Sequence, residues 1–410
     1  MIPDIVCIWV SLFLAQRPSS APFLLARRCH STWRNAAALT TCHFGVNDGE
    51  KAMHGSSMVI FRAFAFSTFL ASGNLAAEGH SPDWTQVASA DLSLMGDYEG
   101  RWFDAPEKQY FDINKPLAAQ VINVREGEYL IQFFQQHDAR ADTYFVGTGR
   151  LADGVIRFEG NGWRGEVSKD GISGRGSGHG GEARFELKRV VRSSPSLGMK
   201  APEGAIVLFD GKNFDEWQHA DGGAVSWHLV EGGAMEVRSA ANDEEKAKKI
   251  GGDIVTKRKF GSCRVHLEFR YPVEPGKAGQ ARGNSGFFLQ DCYEVQVLNS
   301  YGTQGLWNEC GALYKTAPPK VNAARPPMEW QTYDIDYTAA VWKNGEKISA
   351  PRITVRLNGV VIHRDEPIPH ATAHAFDQRL NEPREEGPLK LQDHGNAIQY
   401  RNIWIMPAAQ

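Results

Sequence analysis

The feature that most limits this chain is how often its apolar pattern is cut into strand-length pieces. Between Ala205 and Pro407, ten or more short segments of alternating or β-branched character follow one another in about 200 residues. Gly, Pro, Asn and Asp separate them. In Cys263–Arg270 one parity reads Cys263, Val265, Leu267, Phe269 and the other Arg264, His266, Glu268, Arg270. A strand of this kind sends one face into a core and presents polar groups on the other. No stretch keeps a helical period long enough to compete, and heptads, polybasic runs and 18-residue apolar spans are absent from the sequence. The chain is therefore expected to be all-β, with a two-sheet jelly-roll sandwich over residues 205–407.

A second, smaller β unit is expected over residues 92–192. Candidate strands such as Ala118–Val124, Glu128–Gln135 and Ala183–Val190 are broken by glycine at the spacing of a small sandwich or barrel. It shows no acid–base cluster and no metal-ligand spacing, and reads as an accessory domain. Residues 193–204, rich in Ser, Pro and Gly, form the linker.

Residues 1–80 do not read as a folded domain. Ile5–Ala15 is an apolar run too short to span a bilayer. Arg62 precedes the apolar stretch Ala63–Ala71, which runs into the small residues Ser72, Gly73, Ala76 and Ala77, the pattern of a secretory signal. The expectation is a start at Met53 or Met58, removal of residues 1–80, and a secreted or periplasmic protein. Three of the six cysteines, Cys7, Cys29 and Cys42, would leave with that segment. Of the remaining three, Cys263 has core parity, and a Cys292–Cys310 disulfide is expected in an exported chain. With 45 basic and 48 acidic residues the net charge is −3, which argues against a nucleic-acid partner.

Eight short motifs then occur in order. They are Leu208-Phe209-Asp210-Gly211-Lys212 with Trp217; Leu267-Glu268-Phe269-Arg270; Arg282-Gly283-Asn284-Ser285-Gly286; and Tyr293-Glu294-Val295-Gln296-Val297-Leu298. Glu329-Trp330-Gln331-Thr332-Tyr333-Asp334, Asn358-Gly359-Val360, Gly387 to Gly395 and Arg401-Asn402-Ile403-Trp404-Ile405 complete the series. Across residues 204–407 this order resembles the 3-keto-disaccharide hydrolase domain family, with Asn299 standing where an Asp is expected. The resemblance implies a concanavalin A-like sandwich and action on sugars already oxidised to a ketone at C3. Such a ketone acidifies the C2 proton. A base can remove it, the resulting enolate expels the group at C1, and water adds back. A site of this kind needs a base poised near neutral pH, donors for the enolate oxygen, and a sugar-shaped groove.

The residues expected to form that groove are Glu268, Arg270, Arg282, Asn284, Glu294, Gln296 and His394. His394 is the candidate base, because its side-chain type titrates near neutrality. Arg270 and Arg282 are candidates for the enolate oxygen, and Glu294 for proton donor or metal ligand. Asn284, Gln296, Gln392 and Asp393 are candidate hydroxyl partners, and Trp330 a candidate ring-stacking platform. Asp393 and His394 with Glu268 or Glu294 could converge on a divalent metal, which would act as a Lewis acid. Two other functions compete: a non-catalytic carbohydrate-binding module of lectin or laminin type, and an ordinary two-carboxylate glycoside hydrolase. Glu294 and Gln296 lie about 6.6 Å apart along one strand face, but the second is an amide, so that strand holds no carboxyl pair. All motifs follow residue 204, so residues 81–195 are expected to be dispensable for the chemistry.

Overall fold

A computed structural model describes residues 90–103, 116–139, 143–178, 181–372, 382 and 385–408. The expected leader lies outside the described residues.

The smaller unit is a closed eight-stranded antiparallel barrel. Its strands are β1 (Gly96–Phe103), β2 (Leu117–Arg125), β3 (Glu128–Phe134), β4 (Phe145–Ala152), β5 (Val155–Gly160), β6 (Trp163–Ser168), β7 (Gly171–Gly178) and β8 (Gly181–Val190). Alternation decides what goes inside: Tyr129, Ile131 and Phe133 of β3 are buried while their neighbours are half-exposed. Aromatic rings fill the interior, with Phe145 stacked on Phe133 at 4.1 Å and on Trp163 at 4.7 Å. Glycine in the wall makes this possible, since a Cβ on Gly165 would lie 2.7 Å from the Phe158 ring. Of the two architectures open from sequence, closure into a barrel is the one adopted.

The larger unit is a sandwich. Its strands are β9 (Ile206–Phe209), β10 (Trp217–His219), β11 (His228–Val230), β12 (Ala234–Glu236), β13 (Ile254–Thr256), β14 (Cys263–Arg270), β15 (Asn284–Leu289), β16 (Tyr293–Leu298) and β17 (Gln331–Thr338). After the small hairpin of β18 (Val341–Lys343) and β19 (Glu346–Ser349) come β20 (Arg352–Leu357), β21 (Val360–Pro367), β22 (Lys390–Leu391) and β23 (Gln399–Pro407). One sheet has five strands in the order β10-β13-β22-β15-β16. The other runs β11-β12-β23-β14-β17-β20-β21, with β9 also paired to β23. Val265, Leu267 and Phe269 of β14 meet Phe287, Leu289, Val295 and Val297 of β15 and β16 in one buried core. Among the described residues no helix is long and apolar enough to cross a membrane.

Barrel and sandwich are interlocked. Met95 and Ile122 of the barrel unit share a buried cluster with Val273 and Tyr301. Arg192 pairs with Asp97 at 2.9 Å and Asp138 at 2.7 Å, and Asp138 also pairs with Arg325 at 3.2 Å. The linker is a strap bound to the outer face of the larger sheet. Ser194 shares a hydrogen bond with Thr332 at 2.6 Å, and the Met199 carbonyl accepts from Asn402 at 3.0 Å.

The expected disulfide is not formed. Cys263, Cys292 and Cys310 are all free and buried. Cys292 immediately precedes β16, whereas the Cys310 N–H bonds to Ser300 at the far end of that strand. Six residues of strand put about 16 Å or more between them, far beyond the ~7 Å Cα limit of a disulfide. Burial pushes the Cys263 and Cys292 thiols up to about 12, so neither is poised as a thiolate.

Candidate active site

The outer face of the five-stranded sheet carries the candidate site. Side chains of β15 and β16 that do not enter the core point here: Asn284, Gly286 and Phe288, with Glu294 and Gln296. Register aligns them in rows. Glu294, Phe288 and Lys390 are successive cross-strand partners. In the next row Gln296 faces Gly286, whose carbonyl accepts the Gln392 N–H at 3.0 Å. Beyond the β16 edge, the Tyr314 N–H donates to the Glu294 carbonyl at 3.3 Å, setting Tyr314 beside that residue.

Glu294 is 5% exposed. Burial raises its pKa to about 8, with Lys390 pulling it down and Asp253 pushing it up. Burying a carboxylate is costly, and here that cost outweighs the pull of Lys390, so the group retains its proton near neutrality. Gly286 supplies its space: a Cβ there would come within 2.5 Å of the Glu294 Oε1 and 2.7 Å of the Phe288 ring. Lys390 brings a cation to the same face, its Nζ 2.6 Å from Asp291, 3.7 Å from Asp253 and 4.0 Å from the Phe288 ring centre. Burial also raises the pKa of Asp253.

Two amide oxygens on this face are buried without a partner among the described residues, Asn284 Oδ1 and Gln296 Oε1. Their amide nitrogens are held. Asn284 donates to the Gln280 carbonyl at 2.8 Å, and Gln296 to the Gln280 side chain at 3.1 Å. The result is two fixed acceptors suited to hydroxyl donors. Asp393 is tied into the rim, accepting from the Ser239 hydroxyl and from the Gly252 N–H at 2.8 Å, while its own N–H bonds to Asp253 at 2.9 Å. His394 follows at the exposed tip of that loop.

The structure thus brings together Asn284, Glu294, Gln296, Gln392 and Asp393, with His394 on their rim. It does not bring Glu268, Arg270 and Trp330 to them. Those three belong to the outer face of the other sheet, with the whole core between. Glu268 is fully buried under the strap, accepting from Gly198 N–H at 2.6 Å, Arg401 at 2.7 Å and Asn402 at 2.9 Å. Burial alone would raise its pKa, but bonds from His266, Asn402, Arg401 and Gly198 outweigh that and hold it at about 2. His266 in turn bonds Asp334 at 2.8 Å. The Trp330 ring makes cation–π contacts with two guanidinium groups, Arg270 at 4.6 Å and Arg401 at 4.0 Å. Arg270 further bonds Gln399 at 2.7 Å. The expected single groove is therefore not formed: its residues divide between the outer faces of the two sheets.

Arg282 sits at the barrel junction, donating to the Asn123 carbonyl at 3.3 Å, rather than over the site. No group of three or more His, Cys, Asp and Glu placed to hold a metal occurs among the described residues. The expected convergence through Glu268 is prevented by the core. Asn299 is buried, with neither amide atom paired among the described residues.

Sequence reasoning missed Asp253, Lys390, Phe288 and Tyr314. Lys390 lay inside the Gly387–Gly395 motif as a visible charge. Tyr314 had no signal, because only the return of residues 311–314 along β16 places it.

Residues 204–406 match the 3-keto-alpha-glucoside-1,2-lyase-like domain family. No curated protein matches the chain. A solved structure of a proposed glycosyl hydrolase from Parabacteroides distasonis is 39% identical, covering 51% of this chain and 86% of that one, with a TM-score of 0.46. A second from the same organism is 22% identical, covering 50% and 95%, with a TM-score of 0.36. Through its sandwich, residues 204–406, the chain belongs to the 3-keto-alpha-glucoside-1,2-lyase-like family of carbohydrate-active domains.

Proposed function

We propose that this protein cleaves 3-keto-glycosides by elimination across C1–C2 followed by hydration, on the outer face of the five-stranded sheet. The observation that carries the reading is Glu294: a buried carboxyl raised to about 8, on a face with a cation and two buried amide oxygens that have no partner among the described residues. A group that keeps its proton at neutral pH is suited to general-acid work.

In this scheme a base removes the C2 proton, and the electron pair forms an enolate on the C3 oxygen. The C1–O bond then breaks as Glu294 delivers its proton to the leaving oxygen. Water finally adds across C1=C2, returning hydrogen to C2 and hydroxyl to C1. His394 is the proposed base, reaching in from the rim, and Lys390 is the cation for the enolate oxygen. Asn284 and Gln296 accept from sugar hydroxyls.

A second reading draws on Asp253, which shares the face with Glu294 and supplies the second carboxyl of an ordinary hydrolase. The two are separated by offering the mature chain a 3-keto-glucoside and its unoxidised parent. Release of the aglycone from the oxidised compound alone, lost in Glu294→Gln, is expected. Cleavage of the parent at a comparable rate would replace elimination by direct hydrolysis, and full activity in Glu294→Gln would remove Glu294 from the mechanism. Binding without turnover of either compound would favour the carbohydrate-binding module.

A further inference from the structure

Beside Glu294 the chain exposes a large aromatic ring that the chemistry above does not use. Trp307 is 46% exposed, and its ring lies 5.8 Å from that of Tyr314, the residue paired with Glu294. The next residue is fastened to the same face, since the Asn308 carbonyl accepts from Gln280 at 2.7 Å and Gln296 at 3.4 Å. The loop itself is stiff. The Glu309 carboxylate accepts from the N–H groups of Gly305 at 2.6 Å and Leu306 at 2.7 Å.

The other side of this loop is held by the barrel. The Tyr301 hydroxyl donates to Asp97 at 2.8 Å, and the Gln132 amide donates to the Gly302 carbonyl at 3.0 Å. Gly302, with φ of +78°, presses so closely on Ile122 that a Cβ would overlap the Ile122 Cδ1. Asp97 is in turn locked by Arg192. One short loop is thus clamped by the accessory domain on one side and presents an indole to the site on the other.

We infer that Trp307 is a sugar-stacking platform that selects substrates with a second pyranose ring, and that the barrel serves as its brace. This rests on the proposed reading of the Glu294 face. Glu294 stands between Lys390, where the enolate charge would develop, and the Tyr314–Trp307 edge. With the oxidised ring over Lys390, the leaving group lies on the aromatic side. The C–H face of a pyranose is apolar and fits a flat ring, whereas a methyl aglycone is too short to reach it. An exposed indole held rigid by its neighbours loses little freedom on binding, which is where such a contact gains most.

The test compares a 3-keto-disaccharide with a methyl 3-keto-glucoside on the full mature chain. Trp307→Ala should raise KM for the disaccharide by about tenfold with kcat little changed, leave the methyl glycoside unaffected, and be largely rescued by Trp307→Phe. On the barrel side, Gln132→Ala and Gly302→Ala should raise the disaccharide KM in the same substrate-dependent way. Equal effects on both substrates, or none, overturn the platform. An unchanged KM in both brace variants overturns the barrel's role. Calorimetric binding of the disaccharide to Glu294→Gln, with and without Trp307→Ala, keeps the outcomes separate. A full-activity Glu294→Gln variant would sink the catalytic reading, while an affinity loss on removing Trp307 would still establish the platform.

Discussion

Replacing Glu294 by Gln should make the protein more stable, and increasingly so as pH rises. The carboxyl titrates near 4.5 in the unfolded chain and near 8 when folded, because burial penalises its charge. Below pH 4.5 both states are protonated and the burial penalty is not felt. Between the two values the unfolded state has released a proton that the folded state still holds, so unfolding gains with every pH increment. At 1.36 kcal/mol per pH unit, the cost is about 1 kcal/mol at pH 5, about 3 at pH 7 and about 5 at pH 9. Glutamine fills the same space and has no proton to lose, so these are the differences expected between variant and parent. Total stabilities of ~5–15 kcal/mol make such a change large. Urea unfolding of both proteins at pH 5, 7 and 9, followed by tryptophan fluorescence, measures it, and all other titrating groups cancel in the comparison. Parallel stability-against-pH curves for the two proteins would refute the buried, protonated carboxyl and with it the general-acid role.

Three further outcomes follow from the same geometry. Gly286→Ala would drive a Cβ to within 2.5 Å of the Glu294 Oε1, displacing the carboxyl, and should cut turnover by about 10²-fold with an unchanged circular dichroism spectrum. His394→Ala, at an exposed loop tip, should leave melting unaltered while lowering kcat on a 3-keto-glucoside by about 10²–10⁴; near-normal turnover would remove His394 as base. The Glu268 carboxylate is held at about 2, so the stability it confers is present above 4.5 and lost as pH falls towards 2. Acid titration of the unfolding midpoint should show that loss in the parent and not in Glu268→Gln.

Strand alternation and turn residues sufficed to read the sandwich from sequence: Cys263–Arg270 forms as expected. These are local properties, set by side-chain parity and by glycine between strands. The ordered motifs likewise identified the family. What could not be read is which outer face each polar residue joins. Glu268 and Glu294 have the same parity signature in sequence, each flanked by apolar neighbours that enter the core. Only the pairing of β14 with β17 and β23, and of β16 with β15, assigns them to opposite sheets. The same long-range pairing buries Glu268 under the strap, returns Tyr314 beside Glu294, and separates Cys292 from Cys310. Parity along a strand says that a side chain leaves the core; the order of strands in space decides whether it meets substrate or structure.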